Sequence, residues 1–294
     1  MTLTAARLPH SARRAARTKA VARRRLVWIA DHCVALALAI MFMAPLVFVV
    51  LTSLMTDQQA NTSDLWPRDW QWSNFATVLS DAPMVTWFRN TLVYAALSTV
   101  LVVCSSLPVA YALARFRFRG ANLSFLAVIT MMMLPPQVLI VPLYILWANL
   151  GLTGTLWPLV VPCLFGDAFA IFLLRQFLLT IPQSYLDAAR VDGCGEIRLL
   201  LRVVVPMMRP ALSAVALFQF FAAWNDYFGP LIYTGEVPDH WTLAIGLASF
   251  KTVHAVHWNL TMAATLLAMA PVIVVFFFAQ KSFIEGVTLT GVKG

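Results

Sequence analysis

Apolar residues along this chain gather into long runs separated by short polar stretches. The runs cover 26–51, 91–113, 123–148, 155–179, 212–233 and 260–279. Each can cross a hydrocarbon layer of about 30 Å at about 1.5 Å of helix rise per residue. The pattern predicts an all-α fold, a polytopic membrane helix bundle with six transmembrane helices. It divides the chain into a basic tail over 1–25, a transmembrane domain over 26–286 and a short tail over 287–294. The first run exceeds the apolar core of a signal peptide, about 7 to 15 residues, so it is expected to be retained as a span. Arg13-Arg14 lacks the rest of a twin-arginine signal.

Composition agrees with this reading. The chain of 294 residues is 61% hydrophobic and 12% charged, with a mean hydropathy of +0.78. A soluble domain is typically about 45 to 50% apolar and about 25% charged. The net charge of +8 does not point to nucleic acid, because the basic residues lie between apolar runs rather than over a polar surface.

The distribution of those charges sets the orientation. Residues 1–25 carry eight basic residues, Arg7, Arg13, Arg14, Arg17, Lys19, Arg23, Arg24 and Arg25, and no acidic one. Alternation across six spans puts them inside together with Arg115, Arg117, Arg119, Arg175, Arg190, Arg198, Arg202, Arg209, Lys281 and Lys293. Arg68, Arg89 and Lys251 remain outside, with Asp57, Asp64, Asp69, Asp81, Glu236 and Asp239. The lysine and arginine bias therefore predicts that both termini are cytosolic. Trp66, Trp70, Trp72, Trp87 and Trp241 are expected to act as interfacial anchors.

Prolines interrupt the runs at Pro108, Pro135, Pro136, Pro142, Pro158, Pro162 and Pro271. Each frees a backbone carbonyl that a neighbouring helix or a water-lined cavity must satisfy. Pro135-Pro136 predicts a break in the third span, which suits either a path-lining helix or ordinary kinked packing.

The longest internal cytosolic segment, 180–209, reads TIPQSYLDAARVDGCGEIRLLLRVVVPMMR. Pro182 can begin a helix, and 184–191 continues it with Asp187 three residues before Arg190. Asp192-Gly193 is turn chemistry. A second helix over 195–205 is amphipathic: Ile197, Leu200, Leu201 and Val204 form a stripe expected to lie against the bundle, with Arg198 and Arg202 on another face. The small Ala188-Ala189 pair permits close approach of another protein, while a hairpin anchored to lipid headgroups fits the same spacing.

Asp187-Ala188-Ala189-Arg190-Val191-Asp192-Gly193, with Pro206 downstream, resembles the EAA loop of binding-protein-dependent ABC importer permeases. The flanks look like those of maltose-type carbohydrate permeases: FLLRQF over 172–177, Ile181-Pro182, Trp224-Asn225-Asp226 and Pro230-Leu231. The end is similar too, through Gln280, Lys281, Ser282, Phe283, Gly286 and the closing 291–294. The resemblance runs from about residue 26 to residue 294, and it departs from the family in having Asp187 where Glu is usual.

The resemblance implies a non-catalytic subunit in a bacterial or archaeal cell membrane. It would form half of a translocation path for a carbohydrate, beside a second permease subunit of different sequence. An extracytoplasmic solute-binding protein would deliver solute, and a cytosolic ATPase dimer would carry ATP and Mg. The residues implied for the ATPase contact are Asp187, Ala188, Ala189, Asp192 and Gly193. No G-x-x-x-x-G-K-[ST] phosphate loop occurs in the chain, so nucleotide chemistry belongs to a partner. A permease for another solute, such as a polyamine or a phosphate ester, would fit the coupling loop equally well.

A charged side chain at membrane depth costs at least about 2.5 to 3.5 kcal/mol, so it usually faces a cavity or a partner. Asp167 in the fourth span suits a path-lining role or a structural hydrogen bond. Gln137 and Gln219 can hydrogen-bond a sugar or pack between helices. Asn225, also a path candidate, and Asp226 are expected near water at the outer end of the fifth span, with no special role.

Other functional classes fare worse. A secondary transporter or channel would be expected to carry internal repeats or chains of intramembrane carboxylates, which this chain lacks. No His, Cys or carboxylate constellation suggests an enzyme. Cys33, Cys104, Cys163 and Cys194 fall in separate segments, without a disulfide framework or a zinc pattern. His254 and His257 stand at i, i+3 with no further ligand nearby in sequence, so no metal site is expected.

Overall fold

A computed structural model describes residues 10–250 and 257–288, and every regular element among them is helical. Residues 1–9, Lys251, His254 and 289–294, which include Arg7, Lys293 and the closing Gly291 to Gly294, lie outside the described residues.

Four helical stretches are long and apolar enough to cross a membrane, and two bent pairs bring the total to six if each pair is one span. The chain opens with α1 (His10–Ser53), in which the basic segment continues into the first span without a break. The short helices α2 (Asp57–Ala60) and α3 (Ser73–Asp81) follow, and α4 (Met84–Arg115) is the second span. The third span is bent by 92° between α5 (Ala121–Met133) and Pro136–Asn149, which ends in α6 (Ile140–Asn149). This is the break expected at Pro135-Pro136. A residue before proline is pushed out of the helical region, and both Leu134 (ψ 121°) and Pro135 (ψ 127°) are extended. Pro45, Pro108 and Pro271 instead sit inside continuous helices.

The fourth span comprises α7 (Trp157–Val160), a 3-10 turn over Val161–Phe165 and α8 (Ala168–Thr180). The connection to the fifth span holds α9 (Gln183–Val191), α10 (Glu196–Leu199), a π turn over Leu200–Val204 and α11 (Val205–Met207). The path from Glu196 to Met207 meets α12 (Arg209–Trp224) at 81°. After α12 come α13 (Phe228–Thr234), α14 (Leu243–Ser249) and the last span, α15 (Trp258–Thr288).

The fifth span is shorter than the run 212–233 suggests. Asn225 donates its side-chain amide to the Phe221 carbonyl at 2.8 Å, and Asp226 accepts from the Gly229 N–H at 3.1 Å. These bonds stop one helix and start the next, because each helix end leaves backbone groups that need partners.

α4 is the spine of the bundle. Its lower half packs with α8 and the 183–208 segment through Leu107, Ala110, Leu174, Leu178, Leu186, Leu199 and Val204. Its upper half packs with α7, α12, α14 and α15 through Trp87, Ala95, Leu159, Trp224, Leu243 and Ala264. Ala95, Ala110, Ala263 and Ala264 have no exposed surface. Lipid tails supply no hydrophobic drive between helices, so small residues that let backbones approach hold a membrane bundle together.

Trp87 corrects one expectation. It is 3% exposed in this upper core rather than at a membrane interface, and a Cβ on Gly246 would fall 2.1 Å from its ring. Glycine at 246 is what lets α14 reach α4. Trp66, Trp70 and Trp72 are exposed, and Trp241 is half-buried with its ring N–H donating to the Gly235 carbonyl at 3.0 Å. α1 lies at the periphery: no residue in its apolar window is buried.

Candidate functional site

The segment 180–209 folds as a helical hairpin with a turn at Asp192-Gly193. Pro182 (φ −60°, ψ 135°) stands at the N-cap of α9, where its missing N–H costs nothing. The helix closes in a Schellman motif, with Cys194 N–H donating to the Ala189 carbonyl and Gly193 N–H to the Arg190 carbonyl, each at 3.0 Å. Gly193 has φ +78°, a left-handed conformation that the motif requires and that glycine adopts without strain.

Leu186 anchors α9 with no exposed surface, and the arc on the other side points outward. Tyr185 is 56% exposed and Val191 87%, while Ala188, Asp187 and Asp192 are exposed and Ala189 is half-buried. Two of these, Tyr185 and Val191, are large side chains left mostly exposed.

The second arm differs from the expected stripe. Leu199 and Val204 are fully buried and Leu200 half-buried, but Ile197 (78%) and Leu201 (59%) face outward. The buried line runs through Leu199, Leu200 and Val204, so the arm is rotated from the expected stripe already at Ile197, before the π turn over Leu200–Val204 begins.

Polar contacts tie the hairpin to the end of α4. Asp187 Oδ1 accepts from Gln183 Nε2 at 3.0 Å and from Arg190 Nη1 at 3.1 Å. Arg190 Nε donates to Glu196 Oε1 at 2.8 Å, and the Tyr111 hydroxyl donates to Glu196 Oε2 at 2.7 Å. Arg115 Nη1 donates to Gln183 Oε1 at 2.9 Å, and its Nη2 donates to the carbonyls of Leu178 and of Ile181, the latter at 2.8 Å. The hydrogen bonds from Arg190 and then Tyr111 hold the Glu196 carboxyl below the usual carboxylate range, and the bond to Glu196 raises Arg190. Glu196 and Tyr111 had no signal in the sequence, and Arg115 was legible only as an inside charge: Tyr111 looks like one more member of an apolar run.

The basic residues of this end gather with the hairpin. Arg175 lies 3.8 Å over the Phe125 ring and donates to the Leu113 carbonyl at 3.2 Å. The other end of α4 meets the 236–241 loop, where Asn90 donates to the carbonyls of Asp239 at 2.8 Å and Trp241 at 3.0 Å.

The intramembrane polar candidates do not form one site. Asp167 and Gln219 come together in a cavity of about 200 Å³ between α4, α8 and α12. Asp167 caps α8 by accepting from the Ala170 N–H at 2.7 Å, and its own N–H donates to Ser106 Oγ at 3.0 Å. Gln137 lies elsewhere, exposed at the bend of the third span, and lines a cavity of about 340 Å³ with Asp226 and Tyr233. Asn225 borders a third cavity, of about 290 Å³, with residues of α14 and α15. Asp226 corrects the expectation of no special role: it is half-buried and accepts from the Tyr94 hydroxyl at 3.0 Å.

No group of three or more metal-ligating side chains occurs among the described residues. His257 pairs with Asp57 at 3.0 Å, and all four cysteines are free.

Residues 106–288 match the family model described as the binding-protein-dependent transport system inner membrane component. The chain belongs to this family. The match begins at Ser106 and takes in the whole hairpin and every polar candidate named above. The protein is thus a multi-pass inner-membrane permease. It is 35% identical over 222 residues to the arabinooligosaccharides transport system permease protein AraQ of Halalkalibacterium halodurans, covering 75% of this chain and 79% of that one. It is 29% identical over 270 residues to the diacetylchitobiose uptake system permease protein NgcG of Streptomyces coelicolor, covering 90% and 89%. A chain from the crystal structure of a bacterial ABC transporter involved in the import of the acidic polysaccharide alginate superposes with a TM-score of 0.77 at 23% identity, over 88% of this permease and 97% of that chain. That likeness places the helical architecture in the fold of ABC permeases.

Proposed function

We propose that this permease forms half of the translocation path of an ATP-driven importer for oligosaccharides, and that the hairpin 180–209 is the surface gripped by a cytosolic ATPase subunit. The observation that carries the coupling role is the outward placement of Tyr185, Val191, Ile197 and Leu201 on a hairpin whose base is locked by Leu186 and Leu199. Large apolar residues exposed on an ordered polar element mark a protein interface. Ala188 and Gly193, with Asp187 and Asp192 beside them, would lie within it, and Ala189 would close-pack at its edge.

The basic residues Arg115, Arg117, Arg119, Arg175 and Arg190 support a cytosolic hairpin and cytosolic termini, through the lysine and arginine bias. ATP and Mg belong to the ATPase partner, and this chain has no catalytic role. A second permease subunit of different sequence completes the path, and a binding protein delivers solute to the end that carries Trp241. Asp167 and Gln219 are the pair best placed to line the path, since they share a cavity between three spans.

The carbohydrate assignment rests on the relatives, whose names specify arabinooligosaccharides and diacetylchitobiose. The test is to purify the chain with its copurifying subunits, reconstitute the complex, and measure ATP hydrolysis with the binding protein presenting arabinotriose, diacetylchitobiose, spermidine or glycerol phosphate. Stimulation by a sugar is expected. Stimulation by spermidine or glycerol phosphate alone would reassign the solute, and absence of any ATPase subunit from the complex would end the importer reading.

A further inference from the structure

Tyr111 and Arg115 stand one turn apart on α4, and each is bonded to a different arm of the hairpin. From Arg115 the contacts run to Gln183, on to Asp187, to Arg190, to Glu196 and back to Tyr111. Every step is a side-chain hydrogen bond between 2.7 and 3.1 Å. The backbone of α4 closes the circuit. Tyr111, Leu186 and Leu199 are buried directly beneath it, in the same core cluster.

We propose that this closed circuit is the clamp that makes the hairpin and the lower half of α4 one rigid body, and that Tyr111 and Glu196 are its positioning residues. The inference rests on the coupling role proposed above and extends it to residues outside the EAA stretch. A hairpin fixed only at its two chain ends can tilt about them when pushed. A circuit that grips both arms from one neighbouring helix removes that freedom. Hydrogen bonds to charged groups are stronger than neutral ones, and four of the six members carry charge. Arg190 therefore holds shape, and Asp187 does so at the edge of the surface that Tyr185, Ala188 and Val191 turn to the partner. The displaced element is α4, the helix that contacts the greatest part of the bundle, so movement at the docking surface reaches the core directly.

The test uses the complete complex in nanodiscs, with Cys33, Cys104, Cys163 and Cys194 replaced by serine and spin labels placed at the exposed positions Arg198 and Arg117. The distance between the labels is measured by pulsed electron paramagnetic resonance, without nucleotide and with ATP and vanadate. The original side chains at 111 and 196 should give one narrow distance that is the same in both states. Tyr111→Phe and Glu196→Gln should leave the nucleotide-free distance in place but shift or broaden the trapped one beyond the original width, with ATP hydrolysis continuing. The double variant should do no more than either single one, as expected for members of one circuit. A trapped distance unchanged in all three variants would overturn the clamp. So would failure of all three to assemble, since the circuit would then be a folding element. Loss of the coupling reading would appear earlier and separately, as an unsubstituted chain that carries no ATPase subunit.

Discussion

The Tyr94 hydroxyl donates to the Asp226 carboxylate at 3.0 Å across a sequence separation of 132 residues. The bond joins the middle of α4 to the gap between α12 and α13, where the fifth span stops short. Tyr94 is 7% exposed, so the pair is shielded from bulk water. Tyr94→Phe should destabilise the purified protein by about 1 to 3 kcal/mol, the cost of leaving a buried acceptor one partner short. Thermal unfolding in detergent, followed by tryptophan fluorescence, measures this. An unchanged midpoint would mean that Gly229 alone satisfies Asp226.

Gly193 closes the hairpin at φ +78° with open space where a Cβ would stand. Backbone conformation, and not crowding, is therefore the constraint. Gly193→Ala should cost about 1 to 2 kcal/mol of strain and weaken retention of the ATPase on the order of tenfold, with membrane insertion unchanged. Gly193→Asn should lose less, because asparagine tolerates the left-handed region. Copurification titrations on the two variants read the difference, and equal losses would point to steric exclusion by the partner.

Gly246 is constrained by crowding. Its Cβ would meet three atoms of the Trp87 ring between 2.1 and 2.5 Å. Gly246→Ala should destabilise by about 1 to 3 kcal/mol through overpacking, and Trp87→Leu in the same chain should recover part of that loss. Melting temperatures of the single and double variants decide it; a double variant worse than both singles would contradict the ring contact as the cause.

Glu196 sets a pH limit on the hairpin. Its folded pKa is depressed below the ordinary value of 4.5 by Arg190 and Tyr111. Its stabilisation is therefore fully present above that value and is lost as pH falls through the lower folded one. The side chain is 43% exposed, so the effect is local. Amide hydrogen exchange over 183–199 should accelerate below the ordinary glutamate range in the natural sequence. In Glu196→Gln the acid-induced component should vanish, leaving exchange uniformly faster.

ATP hydrolysis separates this chain from its partners. The purified permease alone should show no turnover above background, because it has no phosphate loop. A clean preparation that hydrolyses ATP would refute the division of labour.

Much of this architecture could be read from the residues. The apolar runs other than 212–233, the Pro135-Pro136 break and the Asp192-Gly193 turn each depend on local chemistry, and each lies where the sequence puts it. The faces of the second hairpin arm did not follow, because Leu199, Leu200 and Val204 take the core side and leave Ile197 and Leu201 outward, a choice among apolar residues that only packing makes. The Trp87 site was hidden for a related reason: a tryptophan at a span end reads as an interfacial anchor until its glycine partner, far along the chain, is placed against it. The gap at Asn225-Asp226 looked like a wet span end because the Tyr94 contact that gives Asp226 its role is long-range. Asp167 and Gln219 were separately visible, but only packing of α4, α8 and α12 puts them in one cavity.

Met208, with no exposed surface, occupies the elbow where Glu196–Met207 meets α12 at 81°. An arm set nearly square to a shaft delivers a sideways push as torque, with little component along the shaft. Side chains along α12, Gln219 among them, would then swing through an arc about the axis of that helix, and a cavity walled by such a helix changes its outline by rotation while its depth stays fixed.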